Sequence, residues 1–260
     1  MPLTDHQASL ARLLSENRTF DSYLAGGAAI LIEPETTRYS RDLDYFHDSE
    51  ARVAKAFAAD RELLAASGYS VDVDLNQPGY IRAVARKDGH ETRVEWAHDS
   101  SWRFLPTVRD PRVGFVLHPV DLAVNKVLAL AGRDEPRDVV DTLEFHRRLL
   151  GLGALCWAAC GKDPGYSPLS LLELLRRRGK VRPEDLARLA LARPIDLQAM
   201  KRTWLEALDS VEPFVASRQP EEVGCLYYSS ARRAFVDPGE AADAVPHFGR
   251  PGGVLPRVTG

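Results

Sequence analysis

Residues 22–46 of this 260-residue chain read SYLAGGAAILIEPETTRYSRDLDYF. The apolar residues before Gly26 and Gly27 predict a short strand, and the residues after the glycine pair can begin a helix that Pro34 limits. The run RDLDYF predicts a second strand, because apolar and polar residues alternate along it. This stretch therefore predicts a strand, a glycine turn, a helix and a second strand in close succession.

Two carboxylates lie two residues apart in the second strand, at Asp42 and Asp44. Residues two apart in a strand point to the same face, so both side chains would converge on one point. Two such carboxylates repel each other unless a divalent cation neutralises them, and an all-oxygen ligand set favours Mg²⁺. The pair predicts a Mg²⁺ site, with Mn²⁺ as the alternative ion and an NTP as the substrate.

The glycine pair Gly26-Gly27 supplies bare backbone N–H groups between a strand and a helix, where phosphate oxygens can bind. Arg38 and Ser40 precede the carboxylates and are candidate nucleotide contacts, although the arginine could equally balance the acidic charge. Taken alone, a Gly-Gly turn or an Asp-x-Asp strand is usually structural. The functional interpretation depends on their combination.

The chain contains a second acidic pair of the same spacing, Asp72 and Asp74, which also alternates with apolar residues. No glycine turn precedes it. We therefore predict that this second pair lies on a solvated strand face.

Two-metal phosphoryl transfer usually needs a further carboxylate, which an adjacent strand would carry. In RVEWA, burial of Val94 and Trp96 would turn Glu95 toward the cleft, so Glu95 is the candidate third metal ligand. The alternative is a surface glutamate paired with Arg93 or Arg103.

The pattern around these motifs predicts an α+β protein with a mixed sheet. Helices are expected over 5–16 and 49–67, and strands over 69–76, 80–87 and 91–98, the last two joined by an Asp88-Gly89 hairpin. From His118 almost every segment has helical spacing. Helices are predicted over 120–131, 135–150, 152–160, 168–178, 183–192 and 197–216.

We accordingly expect a catalytic lobe over 1–117, a helical lobe over 118–220 and a Pro/Gly-rich tail over 221–260. The tail has few periodic apolar residues and is predicted to be loosely held.

A second charged cluster lies where two of the predicted helices meet. Lys126 and Arg133 share one helix face, and Asp138 and Asp141 share another. Such charges often only fix the angle between two helices. The functional alternative has Lys126 reaching the triphosphate as a point charge.

The composition is that of an ordinary globular protein, with 45% hydrophobic and 27% charged residues. A net charge of −3 excludes a globally basic nucleic-acid binder. Three cysteines, an odd number, suit a reducing compartment, and no apolar run is long enough for a membrane span. We expect a cytoplasmic protein.

Two separated motifs together resemble a known family. The sequence GGAAI followed by RYSRDLDYF, and then KVLALAGRDEPRDVVDTLEF, is similar to the AbiEii/AbiGii toxins of the nucleotidyltransferase superfamily, which include MenT-type bacterial toxins. The resemblance covers about residues 20–150. It implies a polymerase-beta-like catalytic sheet followed by a helical lobe.

The resemblance also implies roles for residues that match the family's motifs. The phosphate loop, the metal pair and the later motif correspond in turn to Gly26 and Gly27, to Asp42 and Asp44, and to Lys126, Arg133, Asp138 and Asp141. The sequence departs from the family where alanine follows Gly27 in place of a hydroxyl residue, and where Glu95 stands in place of aspartate.

By this resemblance the chain is a toxin that transfers NMP from an NTP to RNA, at the 3′ acceptor end of tRNA, and thereby blocks translation. A cognate antitoxin is then an expected partner. One alternative is a nucleotide-binding toxin or regulator that transfers nothing to RNA. The other is a transferase that acts on a protein or a small molecule.

Overall fold

The computed structural model describes residues 3–30 and 37–257. The chain divides into two compact units, Met1–Leu122 with Pro251–Gly253, and Ala123–Arg250 with Val254–Gly260. Strands and helices occur together in each unit. The predicted α+β class, with a mixed sheet and a helical region, is confirmed.

The first unit is built around a sheet that, within the described residues, has seven strands in the order β3-β4-β5-β2-β1-β8-β7. Its strands are β1 (Ser22–Ala25), β2 (Asp42–His47), β3 (Ser70–Gln77), β4 (Tyr80–Lys87), β5 (His90–His98), β7 (Val108–Asp110) and β8 (Gly114–Val116), with the short β6 (Trp102–Arg103) outside this sheet. Its helices are α1 (Asp5–Leu14), α2 (Gly26–Ile30) and α3 (Glu50–Ala66). The sheet is mixed, because β2 is antiparallel to β1 and parallel to β5.

Local sequence signals account for several of these boundaries. The Ser49 side chain accepts a hydrogen bond from the Arg52 amide and so begins α3, and Gly68, at φ 81°, follows its end. Asp88 and Gly89 both have positive φ, 52° and 77°, as a two-residue hairpin requires. The predicted limit of α2 at Pro34 lies outside the described residues.

The central strands of this sheet bury one face and leave the other polar. Leu43 and Tyr45 of β2 are fully buried beside Val94 and Trp96 of β5. This alternation is the predicted period of two. It turns the intervening carboxylates of β2 away from the core.

The second unit contains most of the helices. They are α5 (Pro136–Arg148), α6 (Leu152–Lys162), α7 (Pro168–Arg178), α8 (Pro183–Ala187), α9 (Leu197–Asp209) and α10 (Val211–Ala216), and the division between the units falls inside α4 (Pro119–Gly132). The single helix predicted over 197–216 is wrong, because the chain begins a new helix after Ser210. Pro213 fits the first turn of a helix but not the interior of one.

The prediction of a loosely held tail is also wrong for much of its length. Strands β9 (Cys225–Ser229), β10 (Ala234–Phe235) and β11 (Ala244–Phe248) form a sheet in the order β10-β9-β11, and β12 (Arg250–Pro251) follows. Gly224, at φ 90°, packs so closely on Gly161 that a Cβ on the latter would lie 2.3 Å from the Gly224 carbonyl oxygen. Such short strands gain their order from pairing and packing, which local composition does not reveal.

The three cysteines, Cys156, Cys160 and Cys225, are free and buried. Burial raises the pKa of the Cys160 thiol to about 12 and that of Cys225 to about 11. They therefore pack as small apolar side chains.

Within residues 3–30 and 37–257, no helix combines the length and the apolar character that crossing a membrane requires.

Candidate active site

Strand β2 presents two carboxylates on one face of the first unit's sheet. Asp42 and Asp44 are partly exposed. Leu43, which lies between them, and Tyr45, which follows Asp44, are buried. The geometry expected from strand alternation is therefore present. Two negative charges lie on the same side of a rigid central strand.

The glycine turn directly contacts this acidic pair. Strand β1 ends at Ala25, whose register partner on β2 is Asp44, and Gly26 follows with φ 59°. A Cβ built on Gly26 would lie 1.9 Å from Asp44 Oδ2 and 2.6 Å from its Cγ. The carboxylate thus lies against bare backbone, at a distance that only glycine permits.

Gly27 lies beneath the two polar side chains that precede the acidic pair. A Cβ on Gly27 would be 3.1 Å from an Arg38 Nη atom and 3.2 Å from Ser40 Oγ. Arg38 is only 5% exposed and Ser40 7%. The fold therefore brings together five of the residues predicted from the sequence: Gly26, Gly27, Arg38, Ser40 and Asp44.

Ser40 is tied to the beginning of β2 by its own hydroxyl. Its Oγ donates a hydrogen bond of 2.9 Å to the carbonyl oxygen of Asp42. The serine therefore links the segment above Gly27 to the strand that carries both carboxylates. A short side chain is needed here, because the space between the segment and the glycine is small.

Glu95 lies beside the acidic pair on the neighbouring strand. Strands β2 and β5 are parallel, and Glu95 is the register partner of Asp44. Burial, and then interaction with the Glu95 carboxylate, raises the pKa of Tyr80, on β4, to about 12, so the phenol keeps its proton at neutral pH.

Tyr80 was not predicted from the sequence as a site residue. Its only signal is the alternation in YIRAVARK, which places Tyr80 and Arg82 on the face opposite the buried Ile81 and Ala83. Nothing in that pattern specifies a partner on β5, because the pairing register depends on the sheet.

A positive charge accompanies Asp42. The guanidinium of Arg93, its register partner on β5, approaches the Asp42 carboxylate at 3.7 Å, and the arginine side chain is about half exposed. An exposed pair at this distance contributes little stability. Arg93 therefore lies on the same face as the carboxylates and moderates the repulsion between them.

The donor set fits a Mg²⁺ ion that is shared with a substrate. Among the described residues, no three His, Cys, Asp or Glu side chains are grouped so that they could hold a metal ion. Mg²⁺ is commonly bound through one or two carboxylates, with water and substrate phosphates completing its octahedron. Asp42 and Asp44 meet that requirement, and Glu95 stays a prediction as the third ligand.

The remaining predicted residues form a charged network in the second unit, of which only Arg133 is exposed. Lys126 Nζ lies 2.9 Å from Asp138 Oδ1 and 2.8 Å from Asp141 Oδ2. Arg133 Nε donates to the other Asp138 oxygen at 2.7 Å. The four charges therefore lie together, and Lys126 is held between two carboxylates.

Asp138 has no exposed surface, yet its pKa is lowered. Burial by itself would raise this pKa, but the charge of Lys126 and the hydrogen bonds from Arg133 and Lys126 together outweigh burial. The carboxylate is therefore ionised and fully paired. Through it, the network links α4 to the first turn of α5.

The mixed sheet with an acidic pair beside a glycine turn, followed by helices, is similar in fold to a solved nucleotidyltransferase. The chain superimposes on MenT4, a nucleotidyltransferase toxin from Mycobacterium tuberculosis, with a TM-score of 0.56 over 83% of each chain and 16% sequence identity. It also aligns with JHP933 from Helicobacter pylori, with a TM-score of 0.47, 14% identity and coverage of 83% of this chain and 97% of that one. No family model and no curated protein sequence matches the chain.

At 16% identity, the likeness to MenT4 is evidence about the fold. It confirms the predicted MenT-like nucleotidyltransferase toxin fold.

Proposed function

We propose that this chain is a cytoplasmic, Mg²⁺-dependent nucleotidyltransferase toxin that transfers NMP from an NTP to the 3′ acceptor end of tRNA. Blocked acceptor ends would stop translation, and a cognate antitoxin would restrain the activity. The observation that carries the proposal is the contact between the Gly26 backbone and the Asp44 carboxylate. In a nucleotidyltransferase fold, that contact joins a candidate phosphate loop to a candidate metal ligand.

Each residue of the site has a role that its position supports. The backbone of Gly26 and Gly27 faces the phosphates, and Arg38 adds positive charge beside them. Asp42 and Asp44 would hold the metal ion. When bound, Mg²⁺, or Mn²⁺ in its place, neutralises charge on the triphosphate and on the departing pyrophosphate.

The transfer itself is an in-line displacement at the α-phosphorus. The oxygen of the RNA 3′ hydroxyl forms a bond to this phosphorus, and the bond from phosphorus to the α–β bridging oxygen breaks. The electron pair of that bond leaves with pyrophosphate. Glu95, the register partner of Asp44, is the candidate acceptor for the hydroxyl proton.

A direct role for Lys126 on the triphosphate stays a prediction. Its ammonium group is already paired with Asp138 and Asp141, so any phosphate would share that charge with two carboxylates. Arg133, whose side chain is about half exposed, is likewise paired with Asp138. The roles of both aspartates would then be to hold these cations in place.

The test is a labelling assay with each of the four α-³²P-labelled NTPs, Mg²⁺ and total tRNA. We expect label at the 3′ end of RNA, removable by a 3′ exonuclease, abolished by EDTA and restored by added Mg²⁺ or Mn²⁺. Sequencing RNA 3′ ends after controlled expression would identify the acceptor.

Parallel reactions with total protein and with small-molecule acceptors distinguish the alternatives. Label on a protein or a small molecule, with none on RNA, would contradict the proposed acceptor and indicate a different transferase. Nucleotide binding without label on any acceptor would indicate a binding regulator.

A further inference from the structure

The side chain of Gln7 uses both ends of its amide in the first unit. Its Oε1 accepts a hydrogen bond of 2.9 Å from the backbone N–H of Thr4, and the Thr4 hydroxyl accepts one of 3.2 Å from the backbone N–H of Gln7. This reciprocal pair is the capping box that begins α1. A capping box needs only the oxygen of the third residue, and glutamate serves there as well as glutamine.

The amide nitrogen of Gln7 is directed elsewhere. Its Nε2 donates a hydrogen bond of 3.1 Å to the carbonyl oxygen of Ser40, 33 residues away, and the glutamine is only 5% exposed. Ser40 lies just before β2 and belongs to neither a helix nor a strand. A buried bond from a helix therefore holds a segment that has no regular backbone pairing of its own at this residue.

The segment held in this way covers the glycine turn. Ser40 Oγ and the Arg38 guanidinium are the groups that a Cβ on Gly27 would meet first. Ser40 also donates to the Asp42 carbonyl, so its position is defined from α1 on one side and from β2 on the other. This segment is packed directly on the glycine backbone, because even a methyl group on Gly27 would be crowded by Arg38 and Ser40.

We propose that Gln7 is a positioning residue, whose Nε2–Ser40 hydrogen bond holds residues 38–40 over Gly27 and thereby sets the affinity for a nucleotide triphosphate. This inference rests on the proposed function. Gln7 itself touches no reacting atom, and its effect reaches the ligand through Ser40 and Arg38. The helix cap and the nucleotide site thus share the Gln7 side chain, whose Oε1 belongs to the cap and whose Nε2 holds Ser40.

Because the two ends of Gln7 have different tasks, two substitutions separate them. Gln7→Glu keeps the oxygen that caps α1 and removes the donor to Ser40. Thr4→Ala removes the cap and leaves the donor in place. The measurements are the Kd of Mg²⁺ with non-hydrolysable analogues of the four NTPs, by titration calorimetry on the full chain, and the Tm of each variant.

For Gln7→Glu we expect a Kd roughly fivefold to tenfold higher, the worth of one net hydrogen bond, and a Tm lower by about 2–4 °C, because a buried carboxylate oxygen then faces the Ser40 carbonyl oxygen. For Thr4→Ala we expect a Tm lower by about 2–4 °C with an unchanged Kd, so the Kd separates the two variants. Gln7→Met, which removes both ends without adding charge, should show both changes and serves if the glutamate variant does not fold.

The outcomes distinguish the inference from the function on which it rests. If the unsubstituted chain binds no analogue, the proposed function fails and the inference falls with it. If the chain binds an analogue and Gln7→Glu and Gln7→Met bind it equally well, the inference alone is overturned. It is also overturned if Thr4→Ala weakens binding as much as Gln7→Met does, since the cap alone would then explain the loss.

Discussion

Two strands of the same sheet carry the sequence Asp-x-Asp, and their surroundings differ in almost every respect. On β2, the Asp42 side chain is 16% exposed and Asp44 lies against the Gly26 backbone. On β3, at the edge of the sheet, Asp72 and Asp74 have side chains that are 64% and 42% exposed. The same three-residue pattern thus forms a confined carboxylate pair in one strand and a solvated face in the other.

The exposed carboxylates Asp72 and Asp74 also form ion pairs with arginines, and the strand that carries them has an irregular pairing register. Asp72 pairs with Arg86 and Asp74 with Arg82, the latter at 3.8 Å. The pairing of β3 with β4 shifts between Val73 and Leu75, which disturbs the alternation on which a shared face depends. The comparison teaches that spacing alone does not make a metal site, because a confined position and an approaching backbone are also needed.

The largest expected effect is on nucleotidyl transfer. Asp42→Asn and Asp44→Asn should each lower the transfer rate by roughly 10³-fold, because metal-assisted charge stabilisation is worth several kcal/mol. The matched substitutions Asp72→Asn and Asp74→Asn should change it by less than about twofold, since they break only exposed ion pairs. Rates of α-³²P-NMP incorporation provide the comparison. Equal losses in the two strands would remove the distinction drawn here.

The next effect is on the stability of the strands behind Asp42 and Asp44. Asp60, on α3, is fully buried and accepts hydrogen bonds from Arg18 at 2.5 Å and from Trp96 Nε1 at 2.6 Å. The guanidinium of Arg18 stacks on Tyr45, the residue after Asp44. On the edge strand β3, by contrast, the ion pairs of Asp72 with Arg86 and of Asp74 with Arg82 are exposed.

Asp60→Asn should lower the free energy of unfolding by about 3 kcal/mol, because it leaves the Arg18 charge buried without its counter-charge. Asp72→Asn should cost under about 0.5 kcal/mol. Denaturant titration of both variants is the measurement. A loss below about 1 kcal/mol for Asp60→Asn would contradict the view that this ion pair supports β2 and β5.

A smaller effect is expected at the glycine turn. Gly26→Ala would place a methyl group inside the Asp44 carboxylate, and we expect the Kd for Mg²⁺ with an NTP analogue to rise by at least about tenfold, or 1.4 kcal/mol. Gly89→Ala is the matched control, because Gly89 also has positive φ but open space around its Cα. Both variants carry the same backbone strain, so a similar loss of affinity in both would exclude the collision as the cause.

The last effect is on the pH dependence of stability. Burial, with the charges of Arg18 and Arg52, lowers the pKa of His47 at the end of β2 to about 3. The unfolded chain would bind a proton at this histidine below about pH 6.5, while the folded chain stays neutral down to about pH 3. Unfolding therefore takes up a proton in that window, and stability falls as the pH falls.

The expected contribution of His47 is about 1.4 kcal/mol per pH unit below pH 6.5. His47→Gln should remove this part of the slope in chemical denaturation measured between pH 6.5 and 4.5. An unaltered slope in His47→Gln would show that this histidine does not remain neutral in the folded chain. The pH dependence that remains in His47→Gln would include the contribution of His118, because burial lowers the pKa of His118 to about 4.

Much of the fold could be predicted from the sequence because its signals are local. The alternation in RDLDYF and RVEWA, the Asp88-Gly89 hairpin and the helix start at Ser49 each depend on neighbours within a few residues. The strands of the C-terminal region escaped prediction, because CLYYS is short and its partner β11 begins fifteen residues after it ends. Pairing over such a distance is decided by packing.

The sequence by itself determined the period-two face of Asp42 and Asp44 and the presence of a glycine pair upstream, because backbone geometry imposes both. Only the tertiary structure decided that Asp44 lies against Gly26, that Ser40 is tied to Gln7 and that Lys126 is held between two buried carboxylates. These contacts join residues from 12 to 33 positions apart. Their energies depend on burial and on close approach, which arise only when helices and strands pack together.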